Sequence, residues 1–140
     1  MMRQQLGRLT VQTGGRGFYD ITTQLQDQVT QSRIHTGLCT VHLQHTSASL
    51  LIQENADPDV RRDFETFFSK LVPDGDQMFI HTAEGEDDMP AHIRAALTTV
   101  NVSVPIDNAR LALGMWQGLY VWEHRREPHR RVLVCHMIGE

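Results

Sequence analysis

Apolar and polar residues alternate with a period of two through the middle of the chain. From Leu38 to His45, Cys39, Val41, Leu43 and His45 fall on one face, and Thr40, His42 and Gln44 on the other. The period resumes at Ala48, Leu50, Ile52 and Glu54, which predicts a strand, a bend near Thr46 and Ser47, and a second strand ending at Gln53-Glu54-Asn55. Leu9 to Thr13 predicts an earlier strand, followed by a turn at Gly14, Gly15 and Gly17. Asp20 is placed to cap a helix carrying Ile21, Leu25 and Val29, with Gly37 at its exit. Asp57-Pro58 is a strong helix start, and Val60, Phe64, Phe67, Phe68 and Leu71 form the stripe that follows. Pro73-Asp74-Gly75-Asp76 stops that helix. Beyond it come a short extended piece at Phe79 to His81, an acidic loop at Glu84 to Asp88, and a short helix opened by Pro90. Val100, Val102, Val104 and Ile106 alternate as a strand. Leu111 to Leu113, Leu119 to Glu123 and Val132 to Met137 read as further strands, the last two as a hairpin across Arg125 to Arg130. About three helices interspersed with antiparallel strands predict an α+β fold, a compact single domain over residues 1–140.

Composition narrows the function more than the fold. With 40% hydrophobic and 21% charged residues, the 140-residue chain is globular and can bury a core without a disulfide or metal. A net charge of −4 argues against a nucleic-acid partner, and the basic run Arg125 to Arg131 reads as a solvated hairpin tip. No apolar run approaches the roughly 20 residues of a membrane-spanning helix, and Met1 to Gly7 lacks the apolar stretch of a signal peptide. The expected compartment is the cytoplasm, with Cys39 and Cys135 buried and reduced.

Eight histidines are many for this length. His45, His81 and His92 stand at element ends, where side chains from separate segments can converge on a divalent metal. Local spacing is weak support, because no compact signature such as His-Glu-x-x-His is present, and a lone histidine is more often a hydrogen-bonded structural residue. Among Glu54, Asp57, Asp63, Asp87, Asp88 and Glu123, Glu54 stands out. It shares the face of Ala48, Leu50 and Ile52, and a carboxylate on an apolar face needs a partner. Glu123 invites the same argument less strongly. Serine catalysis from Ser47 or Ser49 lacks the Gly-x-Ser-x-Gly turn.

Four blocks together resemble the YjbQ family: His45-Thr46-Ser47-Ala48-Ser49-Leu50 with Glu54 to Val60, Asp88-Met89-Pro90-Ala91-His92-Ile93, Asn108 to Gly118, and Glu123-His124-Arg125 with the terminal Gly139-Glu140. The resemblance implies a homotrimer and a histidine cluster holding a divalent metal, commonly zinc, at positions matching His45, His81 and His92. It also brings the label of secondary thiamine-phosphate synthase, as a candidate side activity. Glu54 would then orient a metal-bound imidazole or act as general base, and Arg110 or Arg125 would bind an anionic substrate. Two readings follow. The first is a metal-dependent enzyme acting on a small phosphorylated or anionic molecule. The second is a non-catalytic metal- or ligand-binding trimeric accessory protein.

Overall fold

A computed structural model describes residues 1–140. The chain runs β1 (Arg3–Gln12), β2 (Gly17–Asp20), α1 (Thr22–Ser32), β3 (Gly37–Leu43), β4 (Ala48–Glu54), α2 (Pro58–Leu71), α3 (Asp88–Leu97), β5 (Asn101–Asp107), β6 (Arg110–Leu111), β7 (Gln117–Glu123) and β8 (Arg130–Gly139). The strands form two antiparallel sheets, of order β1-β8-β3-β5-β6 and β2-β7-β4. The α+β expectation holds. The longest helix has 14 residues, and no helix is long and apolar enough to cross a membrane.

The core lies between the sheets. Cys39, Val41, Leu43, Leu133, Cys135 and Met137 of the larger sheet face Ala48, Leu50, Leu119 and Val121 of the smaller one. Helix α1 closes one end with Ile21, Leu25 and Val29, the residues its sequence period selected. Cys39 and Cys135 are free and buried, and burial pushes the Cys39 thiol up to about 12. Strand β7 is buried on both faces. Its outward Trp122 stacks on Phe18 at 4.6 Å and meets Phe68 of α2 edge-on at 4.9 Å. Such pairs add about 0.5–1.5 kcal/mol each beyond area burial, and they seat an α2 that has no fully buried residue of its own.

Three local expectations change. Strands β7 and β8 do not pair as a hairpin: β7 lies between β2 and β4, and β8 between β1 and β3. The chain crosses from one sheet to the other at Arg125 to Pro128, as it does between β3 and β4 at Thr46 and Ser47. Gly37 does not end α1, which closes at Arg33 in the left-handed conformation (φ 59°). It opens β3, where a Cβ would lie 2.1 Å from the Ile138 carbonyl oxygen. Phe79 to His81 forms no strand and belongs to the connection between α2 and α3.

Candidate metal centre

Asp88 and His92 come from the first turns of α3, one helical turn apart and so on one face. His81 reaches them from the preceding connection. Its Nε2 lies 2.6 Å from Asp88 Oδ2, and His92 Nε2 lies 3.2 Å from the same oxygen. The Asp88 side chain is 2% exposed, against 45% for His81 and 32% for His92. Donor atoms of the three residues all lie within 4.8 Å of one another. Three donors this near one another would hold a single ion once the hydrogen between His81 and Asp88 gave way to it.

The tautomer of His92 follows from its other nitrogen. Nδ1 lies 3.0 Å from the Thr46 carbonyl oxygen, which can only accept, so Nδ1 carries a hydrogen. In the neutral ring Nε2 is then a bare lone pair facing a carboxylate oxygen. Such a contact repels unless a second proton or a cation sits between. One ring N–H on a backbone carbonyl, with the other nitrogen turned to the remaining ligands, is the usual posture of a metal-ligating histidine. Burial pushes the Asp88 carboxyl up, but the His81 hydrogen bond and the Arg125 charge outweigh it and hold it below the usual carboxylate range.

Arg125, just past β7, faces this group from behind. Its Nη1 pairs with Asp88 Oδ1 at 2.8 Å, its Nε donates to Asp87 Oδ2 at 2.9 Å, and its Nη2 donates to the Glu84 carbonyl at 2.8 Å. The basic run is therefore a solvated tip only in its middle: Arg126, Glu127, Pro128 and Arg130 are exposed, whereas Arg125 and Arg131 turn inward. Arg131 is 3% exposed and lies between the sheets with Glu123, which is wholly buried. Arg131 Nε donates to Glu123 Oε1 at 2.8 Å and its Nη2 also bonds Oε2. Thr13 Oγ1 donates to Oε1 at 2.8 Å, and Arg131 Nη2 reaches Ser47 Oγ at 3.0 Å. Burial raises the Glu123 carboxyl, but these donors win and hold it low.

The remaining candidates stand elsewhere. His45 lies outside the group of three, because its Nε2 accepts the Val132 N–H at 2.9 Å. It shares a hollow of about 350 Å³ with Thr46, His92, Ala95, Ala96 and Val100. Burial, then the Arg131 charge, lowers its pKa. Glu54 sits at the far end of β4, six residues past Ala48, or about 20 Å at roughly 3.3 Å per residue. Its Oε2 accepts the Asp57 N–H at 3.1 Å, so its partner is the start of α2 rather than an imidazole. Arg110 lies at the same distant end, beside a hollow of about 390 Å³ with Thr22, Thr23, Gln26 and Gln117. The structure brings together His81 and His92 with Asp88, sets His45 beside His92 in the adjoining hollow but outside that group, and leaves Glu54 and Arg110 remote from it. The signal for Asp88 was present in the sequence: a carboxylate four residues before a histidine at a helix start.

A profile of the family described as UPF0047 protein YjbQ-like matches residues 7–140. The chain is 50% identical over 138 residues to a UPF0047 protein of Synechocystis sp., covering 99% of this chain and 94% of that protein. It is 39% identical to the UPF0047 protein YjbQ of Escherichia coli O157:H7 over 133 residues, covering 94% and 96%. Among solved structures, a yjbq/upf0047 family protein of Clostridium acetobutylicum is 32% identical, with a TM-score of 0.86 over 94% of this chain and 98% of that one. A YbjQ-like protein of Sulfolobus solfataricus shares the fold at a TM-score of 0.91, with 21% identity and all of both chains covered.

Proposed function

The chain belongs to the UPF0047 YjbQ-like family, and from that premise we propose a metal-dependent enzyme acting on a small phosphorylated or anionic substrate, with His81, Asp88 and His92 as the metal ligands. The observation that carries the reading is the convergence of His81 Nε2 and His92 Nε2 on one oxygen of buried Asp88, with the His92 Nδ1–H committed to Thr46 O. Two imidazoles and one carboxylate suit zinc, with positions left open for a substrate. When bound, the metal supplies a Lewis acid able to polarise a phosphoryl or carbonyl oxygen. Asp88 holds the ligand set together from a water-poor position. Ala95, Ala96 and Val100 give the hollow beside His92 an apolar floor for the neutral part of a small molecule. Arg125 and Arg131 are each spent on carboxylates, so the substrate anion would find its countercharge at the metal. Weak thiamine-phosphate synthase activity remains the side reaction suggested by the family resemblance.

One observation favours the second reading, a non-catalytic metal- or ligand-binding accessory protein. His45, the other imidazole in the hollow, has its Nε2 occupied by a backbone N–H, which leaves no evident general base there. Assembly as a homotrimer belongs to both readings. It is supported by large apolar side chains left in solvent, Ile80 at 97%, Met115 at 80% and Phe67 at 62% exposed.

Metal analysis of the protein as isolated, followed by zinc titration of the chelated protein, tests the site. One zinc per chain is expected. His92→Ala should lose stoichiometric binding with its melting temperature in chelator little changed, and His45→Ala should keep it. Full occupancy in His92→Ala would reject the ligand set. Turnover of phosphorylated metabolites by the zinc-loaded protein separates enzyme from binder.

A further inference from the structure

We infer that Arg125 is the positioning residue for the metal-binding carboxylate, an inference that rests on the ligand set proposed above. The terminal torsion of an aspartate is broad and roughly two-fold, so a carboxylate at a helix start does not aim itself. Asp88 must present one oxygen, Oδ2, to both imidazoles at 2.6 and 3.2 Å. The Arg125 guanidinium takes the other oxygen, Oδ1, at 2.8 Å and thereby fixes the plane of the group.

Arg125 is itself held on every side. Its Nε and Nη2 are anchored to Asp87 Oδ2 and to the Glu84 carbonyl, at 2.9 and 2.8 Å. Its own N–H donates to Glu123 Oε2 at 3.2 Å, which ties it to the wholly buried end of β7. Asp87 Oδ2 takes a second bond from the Arg126 N–H at 2.9 Å. The loop that brings Glu84 and Asp87 round turns at Gly85, whose φ of +111° suits glycine. The side chain is 12% exposed, so water competes little for these contacts. A planar fork with fixed donor directions meets two carboxylates and a carbonyl at once, which an ammonium cannot do.

Charge and geometry pull in opposite directions here, and that makes the role testable. A guanidinium beside a metal ligand repels an incoming cation. If Arg125 were only a neighbouring charge, removing it would tighten metal binding. If it aims Asp88, removing it loosens binding. The test is zinc affinity by competition with a chelating dye for wild type, Arg125→Gln and Arg125→Lys at fixed ionic strength, with melting in chelator as the control for folding. Arg125→Gln should weaken zinc by about 10- to 100-fold, the usual loss when a group supporting a ligand is removed. Arg125→Lys keeps the charge without the fork and should fall between the two. Zinc bound by Arg125→Gln as tightly as by wild type, or more tightly, overturns the inference while leaving the ligand set standing. If Arg125→Gln does not fold, wild-type affinity in Arg125→Lys overturns it. A wild-type protein that binds no zinc overturns the ligand set, and the inference falls with it.

Discussion

Two charged clusters meet through Arg125 and are built on opposite plans. In the cluster of Glu123 and Arg131, both carboxylate oxygens and the facing guanidinium arms have protein partners, and the two side chains are 0% and 4% exposed. In the cluster of His81, Asp88 and His92, two imidazole nitrogens converge on one oxygen, and two of the three side chains meet solvent. The first arrangement is closed and asks nothing of a ligand. The second is open, because two imidazoles share a single carboxylate oxygen beside solvent. Buried charge alone therefore does not mark a candidate site; several donors converging on one acceptor beside solvent do.

The closed cluster gives the largest expected effect. Glu123→Gln removes the countercharge and leaves Arg131 buried without it, at a cost of about 3–5 kcal/mol. Urea unfolding in the presence of chelator measures that loss, and zinc affinity of the folded fraction should fall less than in Arg125→Gln, because only the backbone tie of Arg125 is disturbed. A loss below about 1 kcal/mol would place Glu123 and Arg131 among ordinary surface pairs and break the contrast.

The pH dependence of stability sharpens the same contrast. His124, next to Glu123, is wholly buried; its Nε2 bonds Ser49 Oγ at 2.8 Å and its Nδ1 has no partner among the protein groups. Burial first, then the charges of Arg94, Arg16 and Arg131, lower its pKa from 6.5 to about 3. Between those values the unfolded chain binds a proton that the folded chain refuses, so stability is full above pH 6.5 and falls as pH drops. One such proton gives a slope of up to about 1.4 kcal/mol per pH unit. His45, also lowered, adds to it in the same direction. Glu123, lowered from 4.5, extends the loss below the ordinary carboxylate range. Unfolding free energies in chelator from pH 7 to pH 4.5 check the histidine part, and a flat profile over that range would mean that water reaches His124.

Which parts of this were legible beforehand depended on range. Short-range signals survived: the Asp57-Pro58 cap, with Asp57 Oδ1 accepting the Asp59 N–H at 2.9 Å, and the alternation of Cys39, Val41 and Leu43. Periodicity tells which side of a strand is apolar. It does not tell which sheet a strand joins, so β7 and β8 read as a hairpin although each pairs with other strands. The same gap misplaced the charges. Arg131 occupies an inward position of β8, yet a run of basic residues looks solvated until Glu123 is brought opposite it. Asp88 was among the acidic candidates, but its role needed the distance to His81, seven residues away across a connection without regular structure.

Glu54 carries the smallest expected effect and the sharpest contrast with sequence reasoning. Its position on an apolar face correctly demanded a partner, and a metal-bound imidazole was the candidate. The structure supplies a nearer one, the Asp57 N–H ahead of α2, at the end of β4 remote from His92. Glu54→Gln keeps an acceptor oxygen and loses only a negative charge near a helix start, worth about 0.3–1 kcal/mol. A small fall in stability is therefore expected. Zinc affinity should stay within about twofold of wild type, the spread usual for sites with no shared partner. Were Glu54 the group that orients a ligand, the same change would cost about tenfold or more. The two outcomes differ enough for one dye-competition titration to separate them. A tenfold loss would mean that coupling runs the length of β4, and that the open cluster extends well beyond the residues that touch it.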